Sequence, residues 1–203
     1  MEDLKLDVLA FGAHVDDLEL SAGGTLAKLA KQGYKVGACE LTAGEMSTRG
    51  TVEERMAEAD EAAKILGLKV RLNLGIPDGN VEESQENKLK VIEVIRKYRP
   101  KYIFCNYWKC RHFDHIHTSN VVSEACFYSG LKKIDTGQEP FRPSVIFYYF
   151  LRHETDPSFI VDVTDTFDIK MKAIMAHKTQ FHNPDSNEPD TFISSSFFMD
   201  SVV

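Results

Sequence analysis

Short apolar runs alternate along the chain with stretches whose apolar residues recur at helical spacing. Asp7 to Ala13 (DVLAFGA) is apolar almost throughout, as in a strand buried on both faces, and polar residues follow at once. Leu20 to Lys31 then has helical periodicity, with Gly23 and Gly24 where a helix lies close against a sheet and Gly33 as its stop. Tyr34 to Leu41 predicts a second strand, Val52 to Leu66 a helix ended by Gly67, and Lys69 to Leu74 a third strand. Lys88 to Tyr98 predicts a helix broken at Arg99 and Pro100, Tyr102 to Tyr107 a fourth strand, and Ile116 to Leu131 the next helix. Further on, SVIFYYF (144–150) and FIVDV (159–163) predict strands, and Thr164 to His177 a helix capped by Thr164 or Asp165. Lys178 to Ser196 reads as loop, and the sequence closes on the apolar SFFMDSVV. No repeat, low-complexity tract or linker interrupts the pattern.

Strands separated by helices pair in parallel through right-handed crossovers, so the predicted class is α/β, a Rossmann-like three-layer sandwich with a mostly parallel central sheet. A length of 203 residues suits one domain. The net charge of −7, with no Lys/Arg cluster, argues against a nucleic-acid partner. No apolar run approaches the roughly 20 residues that span a bilayer. The acidic start MEDLKLDVLA has neither the basic opening nor the apolar stretch of a signal peptide, so a cytoplasmic location is expected. Cys39, Cys105, Cys110 and Cys126 form no C-x-x-C pair, and neither a disulfide framework nor a thiolate zinc site is expected.

Ligands of such sheets bind beyond the carboxyl ends of the strands, and two of those loops are rich in chemistry. After the first strand comes His14-Val15-Asp16-Asp17-Leu18-Glu19. His14 and Asp17, three apart across a strand-to-helix turn, can give a metal one nitrogen and one oxygen. Asp16 is left free to take a proton from water activated by the metal. Glu19 reads as a brace for a loop or helix end, because a buried carboxylate needs partners.

After the fourth strand comes Arg111-His112-Phe113-Asp114-His115-Ile116-His117, with three of the seven histidines. His115 can complete a two-histidine, one-carboxylate set with open positions, the arrangement of a catalytic zinc. His112 can turn inward as a cation or proton donor that stabilises an oxyanion, and Asp114 can orient an imidazole from behind. Zinc is the expected metal, and Fe²⁺, Co²⁺ or Mn²⁺ suit the same donors. A nucleotide-binding Rossmann protein is disfavoured because no G-x-G-x-x-G follows the first strand.

AHVDDLE and HFDH resemble the A-H-P-D-D-x-E and H-P-D-H signatures of the metal-dependent N-acetylglucosaminide deacetylases of the PIG-L/LmbE type. LTAGEMSTRGT, RLNLGIPDG, IRKYRPK, RHFDH and HKTQF look like the subgroup that deacetylates N-acetylglucosaminyl malate in bacillithiol synthesis. The resemblance implies His14, Asp17 and His115 as zinc ligands, Asp16 as general base and His112 as the oxyanion-stabilising histidine. It also implies sugar recognition by Arg55 and Asp78, with Arg49 as a further candidate for substrate carboxylates. A small N-acetylated sugar as substrate and a homo-oligomer, perhaps a hexamer, follow from the same likeness. Val15 and Phe113 replace both signature prolines, so looser turns are expected, and Cys110 stands where related sequences often carry Asp. The family's last C-terminal helix and strand, with a tyrosine that stabilises substrate, have no counterpart before Val203. The alternative readings are a deacetylase of another N-acetyl sugar and a catalytically impaired or nonenzymatic metal- or sugar-binding relative.

Overall fold

The computed structural model describes residues 4–151 and 155–202. Its strands are β1 (Val8–Gly12), β2 (Val36–Glu40), β3 (Val70–Asn73), β4 (Tyr102–Asn106) and β5 (Val145–Tyr149), all parallel, in the order β3-β2-β1-β4-β5. The helices are α1 (Asp17–Leu20), α2 (Gly23–Lys31), α3 (Val52–Leu66), α4 (Gln85–Tyr98), α5 (Phe113–Tyr128), α6 (Phe167–Ala176) and α7 (Ser196–Asp200). The α/β expectation holds. Among the described residues, no helix is long and apolar enough to cross a membrane.

β1 is the central strand, and all five of its residues are buried. Side chains alternate across a strand, so Leu9 and Phe11 enter one core with Ile92, Ile95, Ile103 and Val122, while Val8 and Ala10 enter the other with Leu26 and Val36. α2, α3 and α6 close together around Leu66 through Ala27, Ala62, Ala173 and Ala176, small residues that permit a short interhelical distance. The chain leaves β1 toward β2 on one side and returns to β4 on the other. The carboxyl ends of β1 and β4 therefore part at the topological switch point, where a crevice opens.

Several elements differ from expectation for identifiable reasons. The helix predicted from Leu20 starts at Gly23 as α2, a separate turn, α1, precedes it, and the Ser21 hydroxyl donates to the Asp17 carbonyl at the break (2.6 Å). Gly24 lies close to the Val163 side chain rather than to the sheet, and its carbonyl accepts from Thr166 Oγ1. FIVDV forms no strand; the Asp162 carbonyl accepts from Lys28 of α2 and the Asp162 carboxylate from the Thr164 amide, starting a 3-10 turn over Thr164–Thr166. α6 follows, with Thr166 rather than Thr164 or Asp165 at its start. α5 begins three residues early because His112 caps it, its Nδ1 accepting from the Asp114 amide. The closing SFFMD forms α7, capped by Ser195.

Candidate active site

The crevice is a cavity of about 960 Å³. His14, Asp16 and Asp17 reach it from the loop after β1, Asp78 from the loop after β3, and Cys110, Arg111, His112 and His115 from the loop after β4 and the start of α5. α6 contributes Lys170, and the α7 region covers one wall with Phe198, Ser201 and Val202.

The His14 Nδ1 and His115 Nε2 atoms face each other at 3.2 Å. Asp17 sits against both, 3.2 Å from His115 Nε2 and 3.7 Å from His14 Nδ1. A tetrahedral metal with bonds of about 2.1 Å separates its ligand atoms by about 3.4 Å, so this donor set fits a divalent cation. Asp17 is fixed by the amides of Ala13 and His14 and by Asn106 Nδ2, all donating to Oδ2. On the far side of its ring, His14 Nε2 lies 3.1 Å from Asp78 and 3.5 Å from Asp114. Asp114 is itself held by the Gly79 and Val81 amides. The groups His14–His112–His115 and His14–Asp78–Asp114 each bring ligand atoms within 4.8 Å of one another as well.

The electrostatics ask for a cation. Burial opposes charge on His14, yet Asp114, Asp17 and Asp78 raise its pKa well above the ordinary value. His115 is raised to about 9 in the same way, against burial, chiefly by Asp17. Asp17 is held well below the usual carboxylate range by His115 and His14 despite its burial. Carboxylates that stabilise extra protons on two imidazoles would stabilise a metal ion in their place.

His112 differs from them. Burial first, then the charges of His14 and His115, lower its pKa, and its ring stacks on His115 at 4.9 Å. Its Nδ1 accepts from the Asp114 amide, so the neutral ring carries its hydrogen on Nε2. This favours the proton-donor form over the cationic one.

Asp16 is buried beside the cluster, and its Oδ2 pairs with Arg55 Nη2 at 3.4 Å. Arg55 also donates to the Gly44 carbonyl (2.6 Å). Gly44 has φ +70 and any Cβ there would strike the guanidinium, so glycine is required. Arg49 is not among the residues that line the cavity: its guanidinium donates to Thr179 O, Pro189 O and Ser186 Oγ, so the structure does not bring it together with the other candidates. Glu19 is fully buried and pairs with a residue the sequence did not reveal, Arg71 at 2.6 Å. Arg71 also donates to the Val15 carbonyl, so the turn that lacks proline is fixed from below. Phe113, the other replacement, occupies the first helical position of α5, and the His112 cap already holds that start.

The chain is similar to several known proteins. The family described as PIG-L: GlcNAc-PI de-N-acetylase matches residues 9–126. The diacetylchitobiose deacetylase of Thermococcus kodakarensis is 29% identical over 189 residues, 86% of this chain and 70% of that protein. The crystal structure of the conserved protein TT1542 from Thermus thermophilus superposes with a TM-score of 0.84 and 40% identity, covering 87% of this chain and 80% of that one. The N,N'-diacetylchitobiose deacetylase from Pyrococcus horikoshii, complexed with its inhibitor MPG, gives a TM-score of 0.79 and 30% identity over 88% and 71%.

Proposed function

The chain belongs to the PIG-L family, GlcNAc-PI de-N-acetylase, and on that premise we propose that it is a single-domain, metal-dependent hydrolase that removes the acetyl group from an N-acetylated sugar. One observation carries the reading: two imidazoles and a carboxylate converge at 3.2 to 3.7 Å on the cavity floor, with the carboxylate of Asp16 beside them and outside the set. His14 through Nδ1, Asp17 and His115 through Nε2 would hold the metal, zinc by preference. When bound there, such an ion lowers the pKa of water and polarises the amide carbonyl.

The chain's own groups do the rest. Asp16 accepts the proton of the attacking water as the new C–O bond forms. The His112 Nε2–H donates to the carbonyl oxygen as its charge develops. Asp16 then returns the proton to the sugar nitrogen, the C–N bond breaks, and acetate and a free amine leave. Asp114 and Asp78 hold His14 from behind and keep Nδ1 turned to the metal. Arg55 keeps Asp16 in place and lies on the cavity wall, where a sugar hydroxyl can reach it.

The finer substrate we assign is N-acetylglucosaminyl malate. Lys170 and Arg111 on the cavity wall support an anionic substituent on the sugar, while the relatives named as diacetylchitobiose deacetylases support the acetylated sugar itself. A homo-oligomer is supported by the exposed apolar side chains of Phe127, Phe159 and Ile160. The test is amine release by zinc-reconstituted protein from N-acetylglucosaminyl malate, N-acetylglucosamine and diacetylchitobiose, with Asp16→Asn as control. Release abolished in the control supports the reading; no release from any of the three by folded, metal-loaded protein overturns it.

A further inference from the structure

His14 and His115 are oriented by different chemistry. His14 turns its outer nitrogen to two carboxylates, Asp78 and Asp114. The outer nitrogen of His115, Nδ1, meets a sulfur, Cys110 Sγ, at 3.1 Å. A cysteine sulfur can accept a hydrogen from a ring nitrogen at that distance.

An imidazole that ligates through Nε2 must carry its hydrogen on Nδ1, and that hydrogen needs an acceptor to fix the ring. The geometry points to Cys110 as the positioning residue for His115: its sulfur accepts the Nδ1–H and thereby presents Nε2 to the metal. The inference rests on the reading of His115 as a ligand. It assigns to Cys110 the work that the carboxylates do for His14. Cys110 is partly buried on the cavity wall, so its replacement leaves the cores of the sheet untouched.

The experiment measures zinc affinity by chelator competition for the full chain and for Cys110→Ala, Cys110→Ser and Cys110→Asp, with thermal midpoints to verify folding. The alanine variant should bind zinc about 10- to 100-fold more weakly, the cost of losing an outer hydrogen-bond partner. Aspartate, which restores an acceptor, should recover most of that loss, a rescue that simple packing would not produce. Nitrogen NMR of the zinc-loaded protein should place the His115 proton on Nδ1. Alanine and wild type within twofold of each other, or a His115 proton found on Nε2, would overturn the role of Cys110. Wild-type protein that takes up no zinc would instead overturn the metal site itself, and the role of Cys110 with it.

Discussion

Arg71 Nη2 donates to the carbonyl of Val15 at 2.6 Å, joining the third strand to the peptide that separates His14 from Asp16. The same guanidinium donates to Ala59 O and pairs with Glu19 at 2.6 Å and Glu40 at 2.9 Å. The turn from His14 to Asp17 thus stands on a buried ionic foundation, and removing the cation would leave two carboxylates uncompensated. Arg71→Met should lower unfolding free energy by about 3–5 kcal/mol. Arg71→Lys, which keeps the charge and loses the fork, should cost less. Urea unfolding of the three proteins checks the order; equal stability of Met and wild type would refute the foundation.

Glu40 gives that foundation a pH dependence. Burial raises its pKa from the ordinary 4.5 to about 7, only partly offset by Arg71, and neither carboxylate oxygen accepts a well-angled hydrogen bond among the described residues. The folded protein therefore holds this proton more tightly than the unfolded chain, and the contribution to stability falls as pH rises from 4.5 through about 7. Glu19 has the opposite sign: its pKa is lowered to about 2 against the effect of burial, by Arg71 and His177, and its contribution is lost as pH falls from 4.5 toward 2. Glu40→Gln should remove a decline on the order of 1–3 kcal/mol between pH 5 and 8. Denaturation at four pH values tests this, and an unchanged slope in the variant would contradict it.

Legibility in the sequence followed the reach of each interaction. β1 could be read because burial on both faces leaves an unbroken apolar run, and the two loops rich in His and Asp could be read because each follows an apolar strand, β1 or β4. FIVDV has a strand's composition, but its polar ties go to Lys28 on α2, a contact 134 residues away in sequence. α7 is only five residues long and takes its shape from Phe198 stacking on Phe181. Arg71 lies in a predicted strand with nothing local to mark it, and Arg55 is singled out only by the family resemblance, on a helix face rich in charge. Their pairing with Glu19 and Asp16 is tertiary and leaves no local periodicity.

Asp16 and His115 should separate base from ligand. Asp16→Asn keeps the donor set of His14, Asp17 and His115 intact, so it should retain one zinc while kcat falls by about 100- to 10,000-fold. His115→Ala removes a donor that is 3.2 Å from both His14 and Asp17, so it should lose the metal. Metal analysis alongside turnover distinguishes the two phenotypes. Near-native kcat in Asp16→Asn would remove the base assignment, and full zinc in His115→Ala the ligand assignment.

Lys170 offers a way to test whether the substrate is anionic. It projects from α6 onto the cavity wall, and burial alone lowers its pKa. A partly desolvated ammonium gains most from an anionic group that enters the cavity, because the attraction is less screened there than at the surface. One such contact is worth about 1.4 kcal/mol, or tenfold in relative kcat/KM. Lys170→Met should therefore reduce the preference for N-acetylglucosaminyl malate over N-acetylglucosamine by about tenfold. The comparison is a ratio of two substrates on one enzyme, so any general loss of metal or fold cancels. A preference unchanged by the substitution would leave Arg111 as the cation to test next and would remove Lys170 from substrate recognition.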